Sequence, residues 1–220
     1  MRKIILLGTK HAEDGLLNCN ELYNIIEMLD PDVIFEEIPP SFFDLYYKTK
    51  ERSNLESRTI INYLFNHSIP HIPVDYYDLP KLFFENTRKV HEIVERRSRK
   101  YCQLIDTNKY LAAKHGFKYL NSEEYERIEF EINAEIDEII NIVNNNKYSE
   151  YWNTWKEIEQ ERENKMIDNI LKYSLDHQYN IGVFIIGAGH RKSIINKIKN
   201  YNCNTSNLIT WEYNNYDNIW

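Results

Sequence analysis

Short apolar stretches alternate with longer amphipathic segments along this chain of 220 residues. Short apolar runs bounded by glycine, proline or charged residues are typical of buried strands, whereas apolar residues spaced three and four positions apart predict helices. Helical patterns separate the strand patterns, which predicts an α/β fold with a mostly parallel central sheet flanked by helices. The predicted strands cover residues 3–7, 33–35, 69–75, 181–186 and 208–211. The predicted helices cover residues 20–29, 41–66, 78–116, 122–143, 149–177 and 191–199.

Helical periodicity dominates residues 78–178, and no strand pattern interrupts it. Gly116 is expected to end the first helical stretch of this region. The sequence therefore predicts a single domain over residues 1–220, with 78–178 forming a large all-helical insertion before the last strands. Pro73 lies inside the third predicted strand, which indicates an edge position because proline cannot donate a ladder hydrogen bond.

Two of the predicted strands are followed by the same Gly-x-x-His pattern. Gly8 leads to His11 after the first strand, and Gly187 leads to His190 after the fourth. The glycine and histidine content predicts only roughly 0.2 such matches by chance, so the repeat is informative. We expect the glycines, Gly189 included, to let the backbone leave each strand sharply and present a histidine over the sheet edge. Both histidines are therefore candidate site residues.

Carboxylates follow the second and third predicted strands. Glu36 and Glu37 come at the end of the second strand, and Asp75 ends the third. Parallel sheets bind ligands at the carboxyl ends of their strands, so these residues join the histidines as candidates. Arg162 interrupts an apolar stripe on the last long helix, where it could pair with a site carboxylate, bind an anionic substrate group or reach solvent. The surrounding charged run, residues 157–165, is expected to be mostly a solvated helix face.

The composition limits the classes of partner. A net charge of −7 argues against nucleic acid or an anionic membrane as the main partner. The absence of a signal-peptide pattern and of a long apolar run predicts a soluble, cytoplasmic protein. Aromatic residues are expected to form part of a lid over the site or a homodimer surface on the helical insertion: Tyr46, Tyr47, Tyr76, Tyr77, Trp152 and Trp155.

Four short patches of the sequence resemble the TraB/GumN/Tiki superfamily: residues 8–11, 31–37, 162–170 and 187–190. That family shares paired Gly-x-x-His motifs, a glutamate after the second strand, and an arginine followed by methionine before the last motif. The wider group resembles erythromycin esterases and the haem-uptake protein ChaN. The spacing favours Glu37 over Glu36 as the family glutamate. The family often has Gly-Asp-Arg after the third strand, whereas Asp75 lacks both of these neighbours.

The resemblance implies a hydrolase that cleaves an amide or ester bond in an intracellular peptide or small molecule. It implies a divalent metal, Mn²⁺, Co²⁺ or Zn²⁺, for which His11, Glu37 and His190 offer a plausible nitrogen and oxygen ligand set. The metal would activate a water molecule and polarise the carbonyl, while Arg162 would stabilise the developing oxyanion. Arg162 and Asp75 are also candidates for binding substrate. No organic cofactor is expected.

Two alternatives remain open at this point. In a metal-independent esterase, one histidine would act as general base and Glu37 would orient it. In a binding protein, the same pocket would hold a peptide or small ligand without turnover. Glu36 is the candidate base if Glu37 is a metal ligand.

Overall fold

The computed structural model describes residues 2–76, 79–205 and 209–213, including all side chains of these except 201–205. Its strands are β1 (Arg2–Thr9), β2 (Val33–Glu36), β3 (His71–Pro73), β4 (Ile181–Gly187) and β5 (Ile209–Glu212). These strands form a parallel sheet in the order β3, β2, β4, β1, β5. The predicted α/β class with a parallel central sheet is therefore confirmed. The predicted first residue of the last strand, Leu208, lies outside the described residues.

Strand β3 lies at one edge of the sheet and pairs only with β2 among the described strands. The edge position that Pro73 indicates is therefore confirmed. The strand covers His71–Pro73 and is therefore shorter than its predicted range of 69–75. Asp75 consequently lies two residues beyond the strand and is not its last residue.

The helices are α1 (Cys19–Leu29), α2 (Phe43–Tyr47), α3 (Leu55–Asn66), α4 (Phe83–Arg97), α5 (Arg99–Leu120), α6 (Glu123–Val143), α7 (Asn146–Asp176) and α8 (Ala188–Thr205). The prediction of one helix over residues 41–66 is wrong. A short 3-10 turn at Pro40–Phe42 leads into α2. The chain is then not helical again until α3 begins at Leu55, directly after Asn54. The side chain of Asn54 accepts a hydrogen bond from the Ser57 backbone N–H, which caps the start of α3.

The predicted helical stretch over residues 78–116 is also two helices. Its predicted first residue, Asp78, lies outside the described residues, and α4 begins at Phe83. Ser98 has extended backbone geometry and caps α5 by accepting from the Tyr101 N–H. Within α5, Gly116 has non-helical backbone angles (φ 60°, ψ −144°) and separates two helices, as predicted. A Cβ atom there would lie 3.1 Å from the Cβ of Leu16.

The core has two parts because successive strand residues face opposite sides of the sheet. On one face, β-strand residues such as Ile5 and Ile185 pack against α1, α3 and the helices of the insertion. On the other face, residues such as Ile4 and Phe184 pack against α8 and the second half of α7. The sheet is therefore covered by helices on both faces, as expected for parallel strands.

Helix α7 contributes to both parts of the core. Its first half, including Trp152, packs within the insertion, whereas Met166 and Ile170 pack beneath the sheet. Glu159, Arg162 and Glu163 lie between these two halves, and they line the cavity described below. Over the part of the chain that the structure describes, no helix combines the length and apolar character needed to cross a membrane.

Candidate active site

The register of the sheet brings the two Gly-x-x-His motifs together. Strands β1 and β4 are neighbours, and Thr9 is paired with Gly187 at their carboxyl ends. His11 and His190 therefore follow strand ends that lie side by side. Strand β2 pairs with the other side of β4, which places Glu37 at the same edge. The predicted convergence of these residues at the carboxyl ends of the strands is confirmed.

A cavity of about 730 Å³ lies over this edge of the sheet. The predicted candidates that line it are His11, Glu37, Asp75, Arg162 and His190. Its outer wall comes largely from the helical insertion. Trp152 and Trp155 stack there with ring centroids 4.5 Å apart, and Tyr46 contributes from the opposite side. Tyr77 lies outside the described residues, and the homodimer surface stays a prediction.

Each motif histidine is held by a carboxylate at its Nδ1 atom. Nδ1 of His11 lies 3.1 Å from Oε1 of Glu56, and Nδ1 of His190 lies 3.0 Å from Oε1 of Glu163. A carboxylate accepts the proton of Nδ1, which fixes the tautomer and leaves Nε2 for other groups. Glu56 comes from the first turn of α3 and Glu163 from the middle of α7. The two motifs therefore share a carboxylate partner at Nδ1 of the histidine.

His11 is exposed to solvent, whereas its partner Glu56 is buried. The side chain of His11 is 61% exposed and that of Glu56 is 9% exposed. The hydrogen bond that His11 makes to the Glu56 carboxylate favours the protonated imidazole and raises the pKa of His11 to about 9. Oε1 of Glu56 also accepts from the Thr9 hydroxyl at 2.8 Å. Its Oε2 atom is buried without a partner in the described part of the chain and lines a cavity of about 10 Å³, the size of one water molecule.

Arg162 is bonded to three carboxylates. Its Nε and Nη2 atoms donate to Asp75 at 3.2 and 2.8 Å, and Nη2 also donates to Oε1 of Glu37 at 2.8 Å. Its Nη1 atom donates to both oxygens of Glu159 at 3.0 and 2.9 Å. Arg162 thus pairs with site carboxylates, which is one of its predicted roles. Each of the three guanidinium nitrogen atoms faces a carboxylate.

His190 lies among three carboxylates. Besides its bond to Glu163, its Nε2 atom lies 3.3 Å from Glu37 and 3.2 Å from Glu159. Burial alone would lower the pKa of His190, but Glu37, Glu163 and Glu159 together raise it to about 10. His190 is therefore an imidazolium at neutral pH.

Both carboxylate oxygens of Glu37 face hydrogen-bond donors. Oε1 faces Arg162 and His190, and Oε2 accepts from the Gly187 N–H at 2.6 Å. Burial would raise the pKa of Glu37, but His190 and Arg162 hold it well below its usual range. The residue is a carboxylate throughout the physiological pH range.

The motif glycines lie where the chain leaves the strands. β4 ends at Gly187 and α8 begins at Ala188, so the chain leaves this strand sharply, as predicted, although none of Gly8, Gly187 and Gly189 has a positive φ. Close packing favours glycine at two of these positions. A Cβ atom on Gly8 would lie 3.1 Å from Oδ1 of Asn121, whose amide bonds both the N–H and the C=O of Gly8. A Cβ atom on Gly187 would lie 3.2 Å from Oε2 of Glu37. Gly189 has open space at its Cβ position and borders the cavity.

Glu36 lies in a different cluster from the other candidates. Its Oε1 atom is 2.6 Å from Nδ1 of His71, and its Oε2 atom accepts from the hydroxyl of Tyr47. Burial and the charge of Glu36 raise the pKa of Tyr47 far above its usual value, so the hydroxyl stays protonated. Because Glu36 and Glu37 are adjacent on an extended chain, their side chains point in opposite directions. The 730 Å³ cavity is lined by Glu37 and not by Glu36.

Three functional carboxylates were not among the sequence candidates: Glu56, Glu159 and Glu163. Glu159 and Glu163 belong to the run expected to be solvated, yet they are only 9% and 4% exposed. That expectation is wrong for these two residues, because α7 crosses from the insertion to the sheet at this point. Their spacing of four, in phase with Met166, is the signal that places them on the apolar stripe.

The predicted metal ligands His11, Glu37 and His190 fit a metal poorly in this arrangement. Glu37 already faces the fixed guanidinium of Arg162 at 2.8 Å, and a cation on the same oxygen would be repelled by it. His190 would also have to lose its Nε2 proton before it could bind a metal. We therefore derive no chemical step through a metal ion.

The chain was compared with known protein families, with curated proteins and with solved structures. None of the three comparisons finds a match. The resemblance to the TraB/GumN/Tiki superfamily therefore stays a prediction, and the functional argument rests on the geometry of the site.

Proposed function

We propose that this protein is a hydrolase that cleaves an ester or amide bond in a peptide or small molecule, with His11 as general base. The observation that carries the proposal is the pair formed by His11 and Glu56. A buried carboxylate holds Nδ1 of an imidazole whose Nε2 atom has no hydrogen-bond partner in the described part of the chain. This is the arrangement in which a histidine accepts a proton and the carboxylate stabilises the imidazolium that forms.

The proposed reaction begins with proton transfer from a water molecule to Nε2 of His11. The resulting hydroxide adds to the carbonyl carbon of the substrate, which gives a tetrahedral intermediate with a negative oxygen. The C–O or C–N bond to the leaving group then breaks, and His11 returns its proton to the leaving group. Glu56 keeps its own charge throughout and favours the protonated state of His11.

Positive groups for the developing oxyanion lie at the start of α8. The N–H groups in the first turn of a helix have no intrahelical acceptors, and the helix dipole favours negative charge there. Gly189 lies in this turn and lines the cavity. We therefore assign oxyanion stabilisation to this turn, and we assign Arg162 the task of holding Glu37 and Asp75 in place.

A metal-dependent form of the same hydrolysis is the second candidate. The observation that favours it is the carboxylate at Nδ1 of both imidazoles, since metal-binding histidines usually carry such a partner. It would require His11, Glu37 and His190 to bind Mn²⁺, Co²⁺ or Zn²⁺, and Arg162 to move away from Glu37. Ligand binding without turnover would be recognised by a tight complex that yields no product.

The pH dependence of hydrolysis is expected to report the pair of His11 and Glu56. Because the base must be neutral, log(kcat/KM) for a nitrophenyl ester should rise with pH and level off near the pKa of His11, about 9. We call the pH at which the profile levels off its break. Glu56→Gln removes the group that favours the protonated imidazole, so the break should move down towards about 6.5, the pKa of a free histidine side chain. The measurement is kcat/KM between pH 5 and 10 for both proteins.

A surface pair in the same protein provides the matched control. Glu27 lies 3.0 Å from Nε2 of His67 in an exposed pair outside the cavity. Glu27→Gln is expected to leave the pH profile unchanged. A profile whose break does not move in Glu56→Gln would show that His11 is not the base that controls the rate.

A further inference from the structure

A second cavity opens on the other side of His11. It has a volume of about 380 Å³ and shares His11, Ile105, Glu129 and Gly189 with the larger cavity. The two cavities therefore meet at the proposed base and at the first turn of α8. A bond that is cleaved at this junction would have one part of the substrate in each cavity.

The larger cavity has an apolar outer wall and an acidic floor. Tyr101, Ile132, Ile136 and Trp152 are buried and line the wall on the side of the helical insertion. The floor carries the carboxylates Glu37, Asp75, Glu159 and Glu163, which are paired with Arg162 and His190. An apolar group is favoured against this wall, and the two cations of the floor already have carboxylate partners.

The smaller cavity is lined by two lysines. Lys10 and Lys109 line it, and within the described residues neither forms an ion pair with a carboxylate. The carboxylate that lines this cavity is Glu129, which is hydrogen-bonded by Asn108 at 2.7 Å. Burial raises the pKa of Glu129, and Lys10 lies close enough to oppose that shift. The two ammonium groups exceed this one carboxylate in charge, so the smaller cavity favours an anion.

We propose that the substrate is an amphipathic anion that spans both cavities, with its apolar part against the insertion and its anionic group beside Lys10 and Lys109. This assignment rests on the proposed hydrolase function for the position of the cleaved bond. It makes Lys10 and Lys109 the residues that determine specificity and orientation. The anionic group, for example a carboxylate, belongs to the leaving-group side of the cleaved bond. Charge then orients the substrate, because Arg162 and His190 on the floor of the larger cavity are paired with carboxylates, whereas Lys10 and Lys109 remain available to an anion.

Binding of a matched pair of uncleavable ligands tests the proposal without turnover. The probes are ortho-nitrophenyl hexyl ether and the same ether with a carboxylate on its ring, and calorimetry near neutral pH and at low salt gives each Kd. The carboxylate should tighten binding to the wild-type protein by about ten-fold or more, as expected for charge-assisted contacts to lysine. In the double variant Lys10→Gln with Lys109→Gln, that ratio should fall to about two-fold or less.

Lys114→Gln is the matched control, since Lys114 lies on the same helix as Lys109 and lines neither cavity. It should keep the wild-type ratio. Equal affinity of the wild-type protein for the two ethers, or a ratio that survives the double variant, would overturn the proposal.

The corresponding hexanoyl esters separate this proposal from the proposed function. Release of nitrophenol from either ester by the wild-type protein, and its loss in His11→Asn, supports the proposed hydrolase function. If neither ester is cleaved but the carboxylate ether still binds through the lysines, hydrolysis of such esters fails while the assignment of the anion site stands. If both esters are cleaved at equal kcat/KM and the ethers bind equally, hydrolysis stands and the anion site is overturned.

Discussion

Arg162→Met is expected to lower the free energy of unfolding by about 3–5 kcal/mol at pH 8, the usual effect of removing one partner from a buried ion pair. The guanidinium is the shared donor of Glu37, Asp75 and Glu159, whose side chains are between 2% and 11% exposed. Methionine keeps much of the volume but leaves these carboxylates without their cation. Urea unfolding followed by circular dichroism provides the measurement.

The loss in free energy of unfolding caused by Arg162→Met should become smaller as the pH falls to about 5. Burial raises the pKa of Glu159 above its usual value even beside Arg162, and loss of the guanidinium removes a charge that lowers this pKa. The folded variant therefore binds a proton at Glu159 more readily than the unfolded chain does, and its stability rises as the pH falls. Arg162→Lys keeps the charge but loses the fork of donors, and an intermediate loss is expected.

Lys156→Met serves as the control on the same helix. Lys156 pairs with Asp137 at 3.1 Å, and both side chains are at least 40% exposed, so a loss below about 1 kcal/mol is expected. A similarly small loss in Arg162→Met would contradict the described network.

His11→Asn is expected to reduce kcat/KM for a nitrophenyl ester by about 10²–10⁴, the range usually lost with a general base. The side chain of His11 is 61% exposed, so its replacement should change the free energy of unfolding by less than about 1 kcal/mol. Loss of activity without loss of stability separates a catalytic role from a structural one. The measurements are initial rates and urea midpoints on the same preparations.

His67→Asn is the matched substitution outside the cavity. His67 also pairs with a glutamate, at 3.0 Å, but it does not line either cavity. It should retain the wild-type rate. A His11→Asn protein that hydrolyses the ester at the wild-type rate would remove His11 from the mechanism.

The sequence predicts the convergence of His11 and His190 because the information is local and repeated. Each histidine follows a strand pattern at the same offset, and parallel strands end at one edge of a sheet. The pairing of β1 with β4 then brings the two motifs side by side. The α/β class and the edge position of β3 follow from patterns of the same local kind.

The carboxylates that hold the imidazoles can be read only in part from local pattern. Glu56 looks like an acidic residue in the first turn of an ordinary helix, which the helix dipole alone would favour. Glu163 lies in phase with the apolar stripe of α7, but its partner depends on the path of α7 between the insertion and the sheet. Helical periodicity therefore indicates the burial of Glu163, whereas long-range packing gives both carboxylates their histidine partners.

The breaks within the helical region have a similar explanation. Ser98 separates α4 from α5 through a capping bond that leaves the amphipathic pattern nearly continuous. Gly116 ends one helical stretch as its pattern predicts, because its backbone is not helical, and a second short helix then continues to Leu120. The close approach of this turn to Leu16 depends on tertiary packing, which the local pattern does not contain.

The measurement that tests the central claim most directly is the rate of nitrophenyl ester hydrolysis by chelator-stripped protein, before and after addition of Mn²⁺, Co²⁺ or Zn²⁺. The wild-type and His11→Asn proteins are assayed side by side. The proposed mechanism predicts that the stripped wild-type protein is active, that added metal leaves its rate unchanged, and that His11→Asn loses the rate. Activity that appears only with metal, or a rate that does not depend on His11, would contradict it.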